Sequence, residues 1–331
     1  MPEVRAAAPP EAAAALGDPA PGEASLDGGL EKLLGFAGEQ LPAVLRETLR
    51  PLAAIVAVTL LCAAAESFVP GREGGETVSF AGCLAIAVIG AEDVKSVLAL
   101  GSGTLHTLRD FSRVLLPTLT AAAAAGGGGG AAGATWAAAA LFSDLLLSAA
   151  ENLILPLLSG MAAAAAAAAV LGERRLDGAL GFMQWLARTL LRALTLGFTA
   201  YLTVTRTLGA QADAAAAKTV KAVLSNGLPV VGKLLSDASE ALVAGAGLLR
   251  GAVGVYGMLV ILAALCLPVL RLAARWLLFR AAAAVCAGIA GERQGTLIAR
   301  LGTVYGLLLG LVGVAAAAEF LSIISLIRTV V

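Results

Sequence analysis

The stretch AVGVYGMLVILAALCLPVL, Ala252 to Leu270, decides the fold class. It carries no charge, and its only polar groups are the Tyr256 hydroxyl and the Cys266 thiol. A helix of roughly 20 predominantly apolar residues matches a hydrocarbon core about 30 Å thick. The same writing recurs outward from it, in Leu301–Ile327 on one side and in Leu153–Leu171, Trp136–Ala150, Val78–Ile89 and Pro51–Val69 on the other. Only short charged interruptions separate these runs. The pattern predicts an all-α, polytopic membrane protein with about six to eight membrane helices plus interfacial amphipathic helices, and the lipid bilayer as its first partner.

Composition agrees. Of 331 residues, 59% are hydrophobic and 14% charged, with a mean hydropathy of +0.89. Soluble domains carry about 25% charged residues. Lys+Arg and Asp+Glu balance at 23 each, which offers nucleic acid no electrostatic footprint. The four cysteines (Cys62, Cys83, Cys266 and Cys286) sit singly in apolar runs, and His106 is the only histidine. Metal sites of the Cys/His kind need clustered ligands, so neither a metal nor a cofactor is expected.

Three regions follow. Residues 1–29 form an Ala/Pro-rich tail with Pro2, Pro9, Pro10, Pro19 and Pro21, expected to be disordered and lacking the basic start and apolar core of a secretory signal peptide. Residues 30–50 place Leu30, Leu33, Leu34, Ala37 and Leu41 on one stripe, as an amphipathic juxtamembrane helix does. Residues 51–331 form the multi-pass domain. Within it, Arg188 and Arg192 mark 182–201 as a basic amphipathic helix, and Arg271, Arg275 and Arg280 suggest that 267–290 is interfacial or faces an aqueous cleft.

Ionisable residues inside lipid are functional candidates, because placing them there costs several kcal/mol. Glu66, Glu92, Asp93, Lys95, Asp144, Glu151 and Glu319 qualify, with Asn152 beside them. Glu92 and Lys95 are spaced to neutralise one another. Asp144 and Glu151 share a helix face; they either line a proton or cation path or pair with arginines such as Arg188 or Arg192. The five glycines from Gly126 to Gly130 lack the Lys-Ser/Thr pair of a phosphate-binding loop. No catalytic residues emerge: G-x-S-x-G, H-E-x-x-H and paired cysteines are all missing, so an enzyme is not expected.

Small residues at helical spacing let two backbones approach in lipid. Gly247 and Gly251, then Gly254 and Gly257, make one such ridge, and Gly302, Gly306 and Gly310 make another. The spacing leaves open whether these seams lie within one chain or between copies in a homo-oligomer.

From Gly227 to Glu240 the chain reads GLPVVGKLLSDASE, with Pro229, Val230, Gly232, Ser236 and Asp237, and continues to Val253-Gly-Val-Tyr-Gly257 and Cys266-Leu-Pro268. This passage resembles the stage III sporulation protein AE family. Asn152-Leu-Ile-Leu-Pro-Leu-Leu158 is similar to that family's corresponding span, as is the C-terminal order of an arginine-bearing helix, a break at Gly291–Gln294 and a long final span. The likeness runs from about Pro51 to the end. It implies a non-enzymatic subunit of the secretion-like channel complex between mother cell and forespore. Its partners would be the other membrane subunits, and its place the mother-cell membrane around the forespore. The alternative reading is a self-contained ion-coupled secondary transporter using Asp144 and Glu151, although no internal repeat of the kind such proteins show is visible.

Overall fold

The computed structural model describes residues 7–16, 26–68, 72–123, 140–172, 176–200, 232–289 and 292–328. Among these residues the elements are helical and none is a strand. In chain order they are α1 (Pro10–Leu16), α2 (Leu26–Phe68), α3 (Arg72–Ala123), α4 (Ala140–Leu171), α5 (176–200), α6 (Gly232–Ile289) and α7 (Glu292–Arg328). Four of them (α2, α4, α6 and α7) are long and apolar enough to cross a membrane. That is fewer than the six to eight expected. Charges interrupt α3 at Glu92, Asp93 and Lys95, and α5 at Arg188 and Arg192.

The six long helices form three antiparallel hairpins, α2–α3, α4–α5 and α6–α7, and their turns gather at one end of the bundle. A side chain at Gly82, near the start of α3, would meet Cys62 Sγ of α2 and Gln294 Nε2 of α7, each at 2.5 Å. Gly172, at the end of α4, lies against the guanidinium of Arg293. The opposite end brings Gly29 of α2 onto Leu259 of α6. The pairing of α6 with α7 is the most extensive in the bundle, and α2 and α3 both pack on α6.

Local chemistry explains the long rods. Alanine and leucine dominate, the best helix formers among apolar residues. Pro42, Pro51, Pro117 and Pro268 all lie inside helices. Each removes one backbone bond, which neighbouring helices and local adjustment offset in a packed bundle. One adjustment is visible in α4. Pro156 follows a π-helical turn at Ala150–Ile154, where the widened ladder relieves the clash between the proline ring and the preceding turn. The helix stops where Gly172 turns left-handed at φ 67°, its N–H bonding the Ala168 carbonyl at 3.0 Å.

Two expectations change at the N-terminus. The tail expected to be disordered contains α1, which buries Ala12, Ala15 and Leu16 against α6. Lys32 Nζ donates to the Leu16 carbonyl at 3.3 Å. An alanine run needs little side-chain ordering to become helical, and its apolar face finds a groove. The boundary at Pro51 is not a break either, since 30–50 and the first apolar run are one continuous helix. The glycine run at 126–130, Trp136, Pro229 and Val230 lie outside the described residues.

Candidate functional site

Two buried charges, Asp93 and Arg275, meet at one level, about 21 Å from the start of α7 at ~1.5 Å per residue. Asp93 of α3 and Arg275 of α6 each expose only 5% of their side chains, and Arg275 Nε donates to Asp93 Oδ1 at 3.2 Å. The other carboxylate oxygen, Asp93 Oδ2, accepts the Tyr305 hydroxyl of α7 at 2.6 Å. Arg275 Nη2 reaches Glu47 Oε1 of α2 at 3.2 Å, and Arg271 Nε approaches Glu47 Oε2 at 3.5 Å. Four helices from two hairpins are thus joined by two arginines, two carboxylates and one tyrosine hydroxyl, and the four charges cancel. Such a group is stable only while complete, since removing one partner strands the other in a low dielectric.

The network rests on a close seam between α6 and α7. The Phe279 and Tyr305 rings meet edge to face, centroids 4.8 Å apart. Gly302 lies over Phe279 and the Arg280 backbone, where an added Cβ would find contacts of 3.5 and 3.6 Å. At Gly306 the same addition would come within 2.7 Å of the Trp276 indole. Gly310 faces Leu191 of α5 at 3.8 Å. The three-glycine row therefore faces helices of its own chain. In the upstream ridge, Gly257 lies under Leu115 of α3, where a Cβ would meet its side chain at 2.6 Å, and Gly254 is buried. Gly232, Ser236, Asp237, Gly247 and Gly251 fall on the N-terminal half of α6, and their side chains lie outside the described residues. Pro268 is inside α6 and half-buried.

A second polar cluster sits farther from the turns. On α3, His106, Arg109, Ser112 and Arg113 share one face. Arg109 meets Glu151 at 3.3 Å and Asp144 at 3.6 Å; Arg113 meets Asp144 at 3.8 Å, and His106 Nδ1 lies 3.5 Å from Glu151. Asp144 and Glu151 thus pair with α3 rather than with Arg188 or Arg192, which are exposed. Asn152 turns away from this face, donating to the Ser148 carbonyl at 3.0 Å. Ser112 Oγ donates to Glu319 Oε2 of α7 at 2.6 Å, both buried. Arg109, Asp144, Ser112 and Glu319 line a cavity of about 340 Å³ between α3, α4 and α7. Glu92 and Lys95, spaced for mutual neutralisation, are both exposed and make no ion pair with one another. Among the described residues no group of three His, Cys, Asp or Glu side chains is arranged to hold a metal.

Sequence reasoning singled out Asp93, Asp144, Glu151 and Glu319 but not their partners. Glu47 and Tyr305 were missed outright. The available signal was the i,i+4 spacing of Arg271 and Arg275, two cations on one face of an apolar helix that require two anions from elsewhere.

The family model described as stage III sporulation protein AE matches residues 22–329 of the chain. No curated protein and no solved structure matches it.

Proposed function

The chain belongs to the stage III sporulation protein AE family, and from that membership we propose that it is a non-enzymatic, multi-pass subunit of a secretion-like channel complex between mother cell and forespore. It is a sporulation-related membrane protein. The finer role, in the mother-cell membrane alongside other membrane subunits, is the reading that best joins the family to the bundle. The single observation that carries it is the near full-length family match together with four helices long enough to cross a membrane.

The chemistry of the interior is consistent with a scaffold. Both polar clusters are occupied by internal ion pairs, with Arg109 engaging the carboxylates that an ion-coupled transporter would use. Fixed pairs hold helices in register; a translocation path needs groups that exchange partners with solute.

Deletion of the gene in the organism that encodes it tests the proposal. Spore formation should fail with late forespore expression lost, and the wild-type copy should restore both. Normal spores with full late expression would overturn it.

A further inference from the structure

The helices are too long for the membrane they are written for. At ~1.5 Å per residue the 58-residue α6 extends about 87 Å and the 52-residue α3 about 78 Å, against a hydrocarbon core of about 30 Å. More than half of the bundle must therefore stand outside the lipid, and the outer surface shows which half.

Around the end where the hairpin turns meet, large apolar side chains point outward on helix after helix. Leu61 and Phe68 of α2, Val88 of α3, Phe182 of α5, and Leu277 and Val285 of α6 are all more than half exposed, Phe68 to 85%. The uncharged stretches 51–65 and 77–91 each run about 23 Å at ~1.5 Å per residue. Exposed Glu92, Lys95 and Arg280 mark the inner border, where long basic side chains reach the interface along their own stems.

The opposite half is built the other way round. Its outer surface carries Glu31, Lys32, Glu39, Asp110, Arg113 and Asp144, all exposed. Leu30, Leu34, Leu141, Leu145, Leu153 and Leu196 are exposed there too, but they are interspersed with Glu31, Lys32, Asp144 and Arg192 rather than forming an uncharged band. Its centre is the most hydrophobic sequence in the chain. Along 253–265 nearly every position is buried, including Tyr256, Leu259, Ile261 and Ala263. A helix apolar on all sides is the mark of a protein core as much as of a membrane span.

We infer that the bilayer surrounds the turn-bearing end of the bundle, up to the level of the Glu47–Arg271–Arg275–Asp93 network. The remainder, packed around 253–265, is a lobe standing in water. The turn-side segments of the six long helices then lie in the lipid, and the stretch that hydropathy marks as a span is instead the lobe's core. The charge network sits at the lipid border, which accounts for its graded burial: Asp93 and Arg275 face inward at 5%, and Glu47 faces outward at 45%. The inference rests on membrane insertion alone and stands or falls independently of the sporulation channel.

Spin labels placed singly at Leu61→Cys, Val88→Cys and Val285→Cys, and at Leu34→Cys and Leu145→Cys, in a chain with its native cysteines replaced by alanine and reconstituted in phosphatidylglycerol–phosphatidylethanolamine vesicles, test it. The first three should be several-fold more accessible to oxygen than to a nickel chelate, and the last two should reverse that ratio. Oxygen preference at Leu34 and Leu145, or nickel preference at the first three, would overturn the placement. Should the cysteine-free chain not fold, hydroxyl-radical footprinting of the unaltered protein in nanodiscs separates the same two placements. Leu34 and Leu145 should be oxidised with Leu61, Val88 and Val285 protected; equal protection of both sets would overturn it.

Discussion

The Tyr305 hydroxyl donates to Asp93 at 2.6 Å, joining α7 to α3 across 212 positions of chain, while Arg275 holds the other oxygen of the same carboxylate at 3.2 Å. The carboxylate has one donor per oxygen. That division makes the energetic consequences of losing either donor separable.

Arg275→Ala should be the most damaging change at this level. It leaves Asp93 buried without its counter-charge, for which a loss of about 3–5 kcal/mol is expected. Thermal unfolding in detergent should show a large drop in Tm. The double variant Asp93→Leu with Arg275→Met should be less destabilised than Arg275→Ala, since it removes both charges at similar volume. A double variant that unfolds as readily as the single one would contradict this.

Tyr305→Phe keeps the ring against Phe279 and removes only the hydroxyl. A hydrogen bond to a charged group contributes about 1.5–3 kcal/mol, so the loss should be clear yet smaller than that of Arg275→Ala. Glu47→Gln, at the half-exposed edge of the network, should cost about 1 kcal/mol or less. The order of the three Tm values is the test.

The glycines should separate by what lies opposite them. Gly306→Ala drives a methyl against Trp276, and overpacking of that kind costs about 1–3 kcal/mol. Gly302→Ala meets ordinary contacts and should be close to neutral. At Gly313 nothing lies within 4 Å of an added Cβ, so alanine should be neutral or stabilising by up to about 1 kcal/mol through helix propensity. Melting curves of the three variants in one detergent decide the ranking.

Ser112→Ala should weaken the contact between α3 and α7, because buried Glu319 loses one of the two serine hydroxyls beside it; a loss of about 1–1.5 kcal/mol is expected. Asp144→Asn, at a side chain 63% exposed, should change stability by no more than about 0.5 kcal/mol. Equal losses from the two would count against the burial difference as the cause.

Much of this architecture is legible in the chain without any knowledge of contacts. The helical class and the bilayer as solvent follow from runs such as Ala252–Leu270, because composition alone sets a segment's transfer free energy. The glycine ridges are visible as ridges. The pairing of Asp144 and Glu151 with cations was one of two open readings, and the partners named for it were the wrong arginines. Arg188 and Arg192 are exposed and point outward. Arg109 and Arg113 lie across from α4 only because two hairpins pack side by side.

Sequence by itself determined that these residues become long apolar helices, because backbone groups deprived of water must bond within the segment and alanine and leucine let them do so. Tertiary structure alone decided that the three turns meet at one end, that Glu47, Asp93, Arg275 and Tyr305 converge, and that Gly302 and Gly306 face α6 of the same chain. Those outcomes depend on the relative height of one helix against another. A shift of a few residues along the axis leaves every segment's hydropathy unchanged while exchanging every partner.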